Sequence, residues 1–409
     1  MKRGKGELGA KRGALSIAAL VAILAAGAVL LHGLGVATSG KRPARSGTSA
    51  DSRGQASNGM PARADPRPAT PNSGPPAGHL RPAASALKPG GDLRAGSDPR
   101  VLPGPVLIAD RDNNRLLLVS PTGQVLWRFP QRGDLARGQS FRSPDDAFYS
   151  PNGRAIVVTQ EDDFAISIID VAHRRIAFRY GHPGVPGAEP GYLHNPDDAM
   201  LTLAGALFAA DIKNCRLIVL RPPAHRVVHQ LGETGNCTHS LGRSYGSPNG
   251  AFPLSDGGTV VTEIGGDWID VLGPGGRPVS DLHAPGFTYP SDTNELRPGV
   301  FLAADYTSPG AIETFTAAGQ LLWRYEPHGR GALDHPSLAL PLPNGDVLVN
   351  DDRNDRVIVI DPHLNRIVWA YGHTGQPGAK PGYLSNPDGV DLAPPYSLAT
   401  RFAHSMRAP

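Results

Sequence analysis

Residues 176–200, IAFRYGHPGVPGAEPGYLHNPDDAM, recur at 367–391 as IVWAYGHTGQPGAKPGYLSNPDGVD. Fifteen of the twenty-five aligned positions are identical, without a gap. Self-similarity of this length marks a repeat architecture, in which stacked units bury a core that no single unit closes alone. Each copy starts as a strand, turns through a Gly/Pro loop and reaches an Asn-Pro-Asp that opens a second strand. The second copy lies close to the C-terminus, which bears on how the repeats close.

From about residue 103 the chain breaks into short apolar runs separated by Gly, Asn, Asp and Pro, the pattern of β-strands. One type of strand recurs at 106–110, 155–160, 206–211, 259–263, 300–305 and 346–351. Another follows a proline, at 144–149, 196–202, 248–254, 290–296, 336–342 and 387–393. Both types number six, but the first unit lacks the proline-led strand and the last such strand has no unit after it. The counts balance if the C-terminal strand completes the N-terminal blade. Closing a ring this way protects the sheet edges. The expectation is an all-β, six-bladed β-propeller closed by the C-terminal strand, spanning 101–396 and followed by a tail at 397–409.

The segment ahead of the repeats is different in kind. Residues 1–13 are short and basic, and 14–37 contain no Asp, Glu, Lys or Arg. That run is long enough to cross a bilayer as a helix. Its basic flank places the N-terminus in the cytoplasm and the repeats outside. A cleaved signal peptide is the other reading, and it exports the same domain. Residues 38–100 are rich in Pro, Ala, Gly, Ser and Arg and read as a disordered linker. The first 100 residues carry 15 Lys and Arg against 5 Asp and Glu, and the rest carry 25 against 32. The basic character therefore belongs to the leader, and a nucleic-acid-binding face on the repeats is excluded.

Three units carry Asp-x-x-Asn-x-Arg after the second strand: Asp110, Asn113, Arg115; Asp211, Asn214, Arg216; Asp351, Asn354, Arg356. Asn suits the left-handed turn, and Asp and Arg pair across the hairpin. With the Gly-x-x-Gly-x-x-Pro-Gly-Tyr-Leu-x-Asn-Pro-Asp stretches, these residues resemble NHL repeats over roughly 103–393. Trp127, Trp323 and Trp369, with Phe178 at the same place, resemble the docking tryptophans of quinoprotein propellers. Those have eight blades, and packing between blades is the expected role here. Leu333-Asp334-His335-Pro336 and the residues after it look like part of bacterial aryl sulfotransferases. That resemblance implies His335 as a channel-facing nucleophile. The peptidylglycine amidating lyases, also similar to NHL proteins, hold zinc with histidines at blade starts. Here only His194 and His335 stand near such starts, at different offsets.

Cys215 and Cys237 are the only cysteines. They bracket two antiparallel strands of the third unit, and in an exported protein they are expected to form a disulfide. Cys237-Thr238-His239 as a metal site lacks a second ligand pair.

The residue after each blade-opening proline is Asp145, Asp197, Asn249, Ser291, Ser337 or Asp388. The next position adds Asp146, Asp198 and Asp292. Equivalent positions in a closed ring face one axis, so these side chains are expected at the channel mouth. Two readings remain open: a ligand or ion site at Asp145, Asp197, Asn249 and Asp388, with the carboxylates suited to Ca²⁺, or turns in which each Asp caps backbone N–H groups. Function is bounded to two classes. One is a membrane-anchored extracytoplasmic module, single-pass, binding a protein, glycan or small molecule. The other is an extracytoplasmic enzyme, sulfotransferase-like or a metal-dependent lyase.

Overall fold

A computed structural model describes residues 92–406. The expected cytoplasmic tail, the apolar run 14–37 and most of the linker lie outside the described residues. Within them, no helix is long and apolar enough to cross a membrane.

The described chain forms six four-stranded antiparallel sheets. Blade two is Pro144–Tyr149, Ala155–Gln160, Ala165–Asp170 and Arg175–Gly181. Blades three to six repeat this order, opening at Pro196–Leu201, Pro248–Pro253, Pro290–Arg297 and Ala339–Pro341. Inner strands such as Val106–Asp110 and Val347–Asp351 are buried at every residue. They lie between neighbouring blades, so both faces must be apolar, and this is why they read as continuous apolar runs. The outer strand Arg277–His283 has no fully buried residue and carries charge.

Blade one is built from both ends of the chain. Pro387–Leu392 pairs with Val106–Asp110 in the register Val106↔Leu392, Ile108↔Val390 and Asp110↔Pro387. Arg115–Val119 and Val125–Phe129 complete the sheet. The C-terminal strand also packs against Pro144–Tyr149 of blade two and Val347–Asp351 of blade six, so the ring is closed. Beyond it, Ser397 caps the short helix Leu398–Arg401, and Leu398, Phe402 and Met406 are buried in the core. On the other side, Leu93 bridges Tyr371 and the Ser97 hydroxyl bonds the backbone of Ala370 in blade six.

The tryptophans dock blades. Trp369 is fully buried and its Nε1 donates to the Pro121 carbonyl of blade one, while Arg174 of blade two lies over the Trp127 ring. Cys215 and Cys237 are joined as a disulfide with Cα atoms 5.1 Å apart, in the ordinary range.

The strand exchange generates a direct expectation. Removing residues 386–409 strips Val106–Asp110 of its inner partner and leaves two unpaired edges. The truncated chain should aggregate and lose its cooperative melting transition, and a peptide of residues 386–406 supplied in trans should recover it. A truncated protein that melts like the intact chain, by calorimetry, contradicts the closed ring.

Candidate functional site at the channel mouth

The six residues that follow the blade-opening prolines all line one cavity of about 340 Å³ at the channel axis. Local backbone irregularity puts them there. In blades one to five the pairing between first and second strands slips at this point, as between Pro144 and Ala147 and between Asp197 and Met200. A bulge of this kind turns successive side chains off the regular pleat and re-aims them. Asp198 takes a left-handed φ of 45° in its bulge. The residue before the proline is left-handed as well at Ser143, Asn195, Ser247, His335 and Asn386.

His335 therefore occupies the turn position that Asn195 and Asn386 occupy elsewhere. It bonds Asp334 at 2.6 Å and stands edge-on to Tyr306, but it is not among the residues lining the cavity. His194 is likewise outside it, packed against Phe164. Neither histidine meets the acidic cluster.

The cluster divides in two. On one side Arg111, in the turn after the second strand of blade one, pairs with Asp388 of its own blade and Asp145 of blade two. Its other nitrogen contacts Glu161 at 2.6 Å and Asp162 at 2.7 Å. Burial works against the charged guanidinium, yet the facing carboxylates of Asp145, Asp388 and Glu161 hold its pKa above the ordinary value. Burial also pushes Asp388 up, but Arg111 and hydrogen bonds outweigh it and keep that carboxyl below its usual range. Asn249 donates to Ser291, and the Ser337 hydroxyl donates to Asp388.

On the other side, no Arg, Lys or His among the described residues pairs with the carboxylates of Asp146, Asp198 and Asp292. One oxygen each from Asp146, Asp198 and Asp292 lie within 4.8 Å of one another, and all three residues are buried. Among the described residues no donor reaches Asp146 Oδ1, either oxygen of Asp198, or Asp292 Oδ1. The same positions in blades four and one are Gly250 and Gly389. A Cβ on Gly250 would lie 2.4 Å from Asp292 Oδ1 and 2.7 Å from Asp198 Oδ2; one on Gly389 would lie 2.8 Å from Asp146 Oδ1. Side chains are thus missing where they would fill the space between the acids. Burial and then mutual repulsion push Asp146 and Asp198 well above the carboxylate range. Burial pushes Asp292 to about 7. Asp197, buried and beside Asp146 and Asp292, is pushed up too. Asp145, Asp146 and Asp197 form a second close trio, sharing Asp146 with the first.

Sequence reasoning missed Arg111, Glu161, Tyr306 and Asp352. All four stand directly after the second strand of their blades, so the blade period that found the prolines contains this position too. Arg111, Glu161 and Tyr306 line the cavity. Asp352 is buried against Asp388 and pushed up by burial and by that charge.

The Asp-x-x-Asn-x-Arg residues have a different task, and the left-handed residue of each turn is not the motif Asn but the one after it, Asn114, Cys215 or Asp355. Asp110 binds Arg115 at 2.5 Å and Asn113 at 3.0 Å. Arg115 then donates to the carbonyls of Ala379 and Tyr383, and Asn113 to that of Gly378. In blade three, Asp211, Asn214 and Arg216 hold Gly187, Ala188 and Tyr192 in the same way. In blade six, Asp351, Asn354 and Arg356 hold Ala332. Each motif grips the loop arriving from the blade before it.

No protein-family model matches the sequence, and no curated protein matches it. Solved structures do resemble the fold. A protein of unknown function from Bacteroides caccae is 13% identical, with a TM-score of 0.50 over 70% of this chain and 98% of that one. A streptogramin B lyase is 15% identical, with a TM-score of 0.47 over 71% and 87%. The WD40 propeller domain of Doa1 is 14% identical, with a TM-score of 0.45 over 65% and 78%. At such identities the likeness concerns the fold alone, and the chain is an all-β, six-bladed propeller.

Proposed function

We propose that this protein is a binding propeller of the NHL type whose site is the acidic channel mouth, loaded with a divalent cation of the Ca²⁺ class. The observation that carries the reading is the trio Asp146, Asp198 and Asp292. These carboxylates are buried and close, and among the described residues no donor meets Asp146 Oδ1, either oxygen of Asp198 or Asp292 Oδ1, while Arg111 pairs with other carboxylates, Asp145 and Asp388. Buried like charges at this separation repel unless a cation stands between them. Three carboxylates leave several positions of a Ca²⁺ shell open, since that ion takes six to eight oxygens. Water or an oxygen-rich ligand, a glycan or a protein carboxylate, completes it. The clamps on the incoming loops support the NHL reading, because they hold the proline-led strands at fixed angles around the axis.

The site is displayed outside the cytoplasm on a membrane tether formed by the residues before 92; residues 93–100, expected in the linker, pack on blade six instead. The apolar run 14–37 with its basic flank supports that display, and so does the disulfide, since such bonds persist in oxidising compartments.

Adding Ca²⁺ to chelator-treated protein should raise its melting temperature. At a hundredfold excess over Kd the gain is about 2.7 kcal/mol by mass action. Asp198→Asn should abolish the response and, without the ion, be more stable than the wild type, because one repelling charge is gone. An Asp198→Asn protein that responds to Ca²⁺ like the wild type sinks the reading. For the tether, an export-dependent reporter fused after Pro409 should be active, and the protein should stay with membranes in high salt. Release with a new N-terminus near residue 38 would mean a cleaved signal, and an inactive reporter would refute export.

A further inference from the structure

Five of the six blades place a guanidinium at the same point near the rim, where the second, third and fourth strands meet. In blades one, three and six it is the motif arginine, Arg115, Arg216 or Arg356, at the start of the third strand. Blades two and five bring it from the fourth strand. Arg179 lies opposite Ser167 and donates to the Ser140 carbonyl; Arg324 lies opposite Glu313, pairs with it, and donates to the Pro285 carbonyl.

Blade four has neither. Trp268 stands opposite Glu263, where the motif arginine stands opposite its Asp. Asp281 stands opposite Asp270, where Arg179 and Arg324 stand in their blades. A carboxylate thus replaces a cation, and Glu263, Asp270 and Asp281 are left facing one another. Glu263 and Asp270 are fully buried. Among the described residues, neither oxygen of Asp270 has a hydrogen-bond partner, and the buried Tyr245 hydroxyl has none.

One basic side chain enters this gap, from the loop joining blades three and four. His239 lies two residues after Cys237, which the disulfide ties to Cys215. The ring stacks on Trp268 with centroids 4.2 Å apart, and His283 covers the other side of the indole at 3.9 Å. Nδ1 is 3.0 Å from Glu263 Oε1, and Nε2 is 3.1 Å from Asp281 Oδ2. Nδ1 is also 3.8 Å from Asp270 Oδ1, and one ring nitrogen and one oxygen each from Asp270 and Asp281 lie within 4.8 Å of one another.

We propose that blade four holds a divalent metal of the zinc class here, on His239 Nε2 and Asp281, with Asp270 turning from the Nδ1 side of the ring to become the third ligand. The donor set is mixed nitrogen and oxygen, which suits zinc better than calcium. The 3.1 Å between Nε2 and Asp281 Oδ2 is close to the edge of a zinc tetrahedron, about 3.3 Å for bonds of about 2.0 Å. Glu263 behind Nδ1 completes a carboxylate–histidine–metal arrangement, which fixes the tautomer and orients the ring. Asp281 is 39% exposed at its side chain, so the metal has an entry path and an open fourth position. The ion supplies the positive charge that arginine supplies in the other five blades, and it gives Asp270 a closer partner than the His239 ring 3.8 Å away. The site shares no residue with the channel mouth.

Calorimetric titration of chelator-stripped, full-length protein with ZnCl2, in excess Ca²⁺ to occupy the channel, tests this. About one equivalent of zinc should bind to the wild type and to Asp198→Asn. Asp281→Arg restores the guanidinium of blades two and five, so it should fold, melt no lower than the stripped wild type, and lose that equivalent. Asp281→Asn and His239→Gln, smaller changes, should each weaken zinc at least about tenfold, as loss of a ligand or its support does. Equal zinc uptake by the wild type and Asp281→Arg, or by the wild type and both smaller variants, overturns the proposal. So does a wild type that takes up no zinc, which leaves Asp270 sharing a proton with Glu263.

Discussion

The pairing of Pro387–Leu392 with Val106–Asp110 is the constraint on which the rest of the molecule depends. A propeller sheet that stops short leaves an inner edge exposed, and an edge of buried apolar strands associates with whatever it meets. Closure removes that edge and also assembles the site. It brings Asp388 from the end of the chain to Arg111 and Asp145 near its beginning. An open ring would hold five copies of the proline-led strand, and Arg111 would lose one of its buried partners. Removing one partner of a buried pair typically costs about 3–5 kcal/mol, so closure and site electrostatics are coupled.

The angle at which each blade enters the ring depends on the loop before it. The two signals that stand apart in the sequence, the Gly/Pro loop and Asp-x-x-Asn-x-Arg, are halves of one device. The loop of residues 181–195 offers the carbonyls of Gly187, Ala188 and Tyr192 to the motif of blade three. Its copy at 372–386 offers Gly378, Ala379 and Tyr383 to the motif of blade one. The match between the copies follows from what they must fit. At Gly372, φ is 101° and a Cβ would sit 2.3 Å from the Asp355 carbonyl, so only glycine serves. Blade four has lost the arginine and kept the acids, and a histidine from a loop stands in its place.

Much of this was legible because repeats make position meaningful. The six strand pairs, the closing strand and the convergence of residues after the prolines follow from counting along the period. The cysteines were legible because hairpin geometry brings the start of one strand to the end of the next. The division of the acidic ring was not. Arg111 sits in the same Asp-rich turn as its neighbours, and nothing in its local sequence says that it gathers Asp145, Glu161 and Asp388. Asp146, Asp198 and Asp292 depend on bulges, which shift side chains between faces without a mark in the residue pattern. Gly250 and Gly389 look like turn glycines until the space beside them is seen. The blade-four cluster joins residues from a loop and three strands, and Cys237-Thr238-His239 alone lacks its other ligands. His335 drew attention by a local resemblance, and its place in the ring is that of a left-handed turn residue.

The account turns on what separates Asp146, Asp198 and Asp292. Crystals grown with Ca²⁺ and measured at long wavelength would locate the ion by its anomalous signal. The account predicts a peak on the channel axis with oxygens of these three residues at about 2.3–2.6 Å, and with Arg111 still on Asp145 and Asp388. A channel without such a peak, its carboxyl groups paired by shared protons or bridged by water alone, would contradict it.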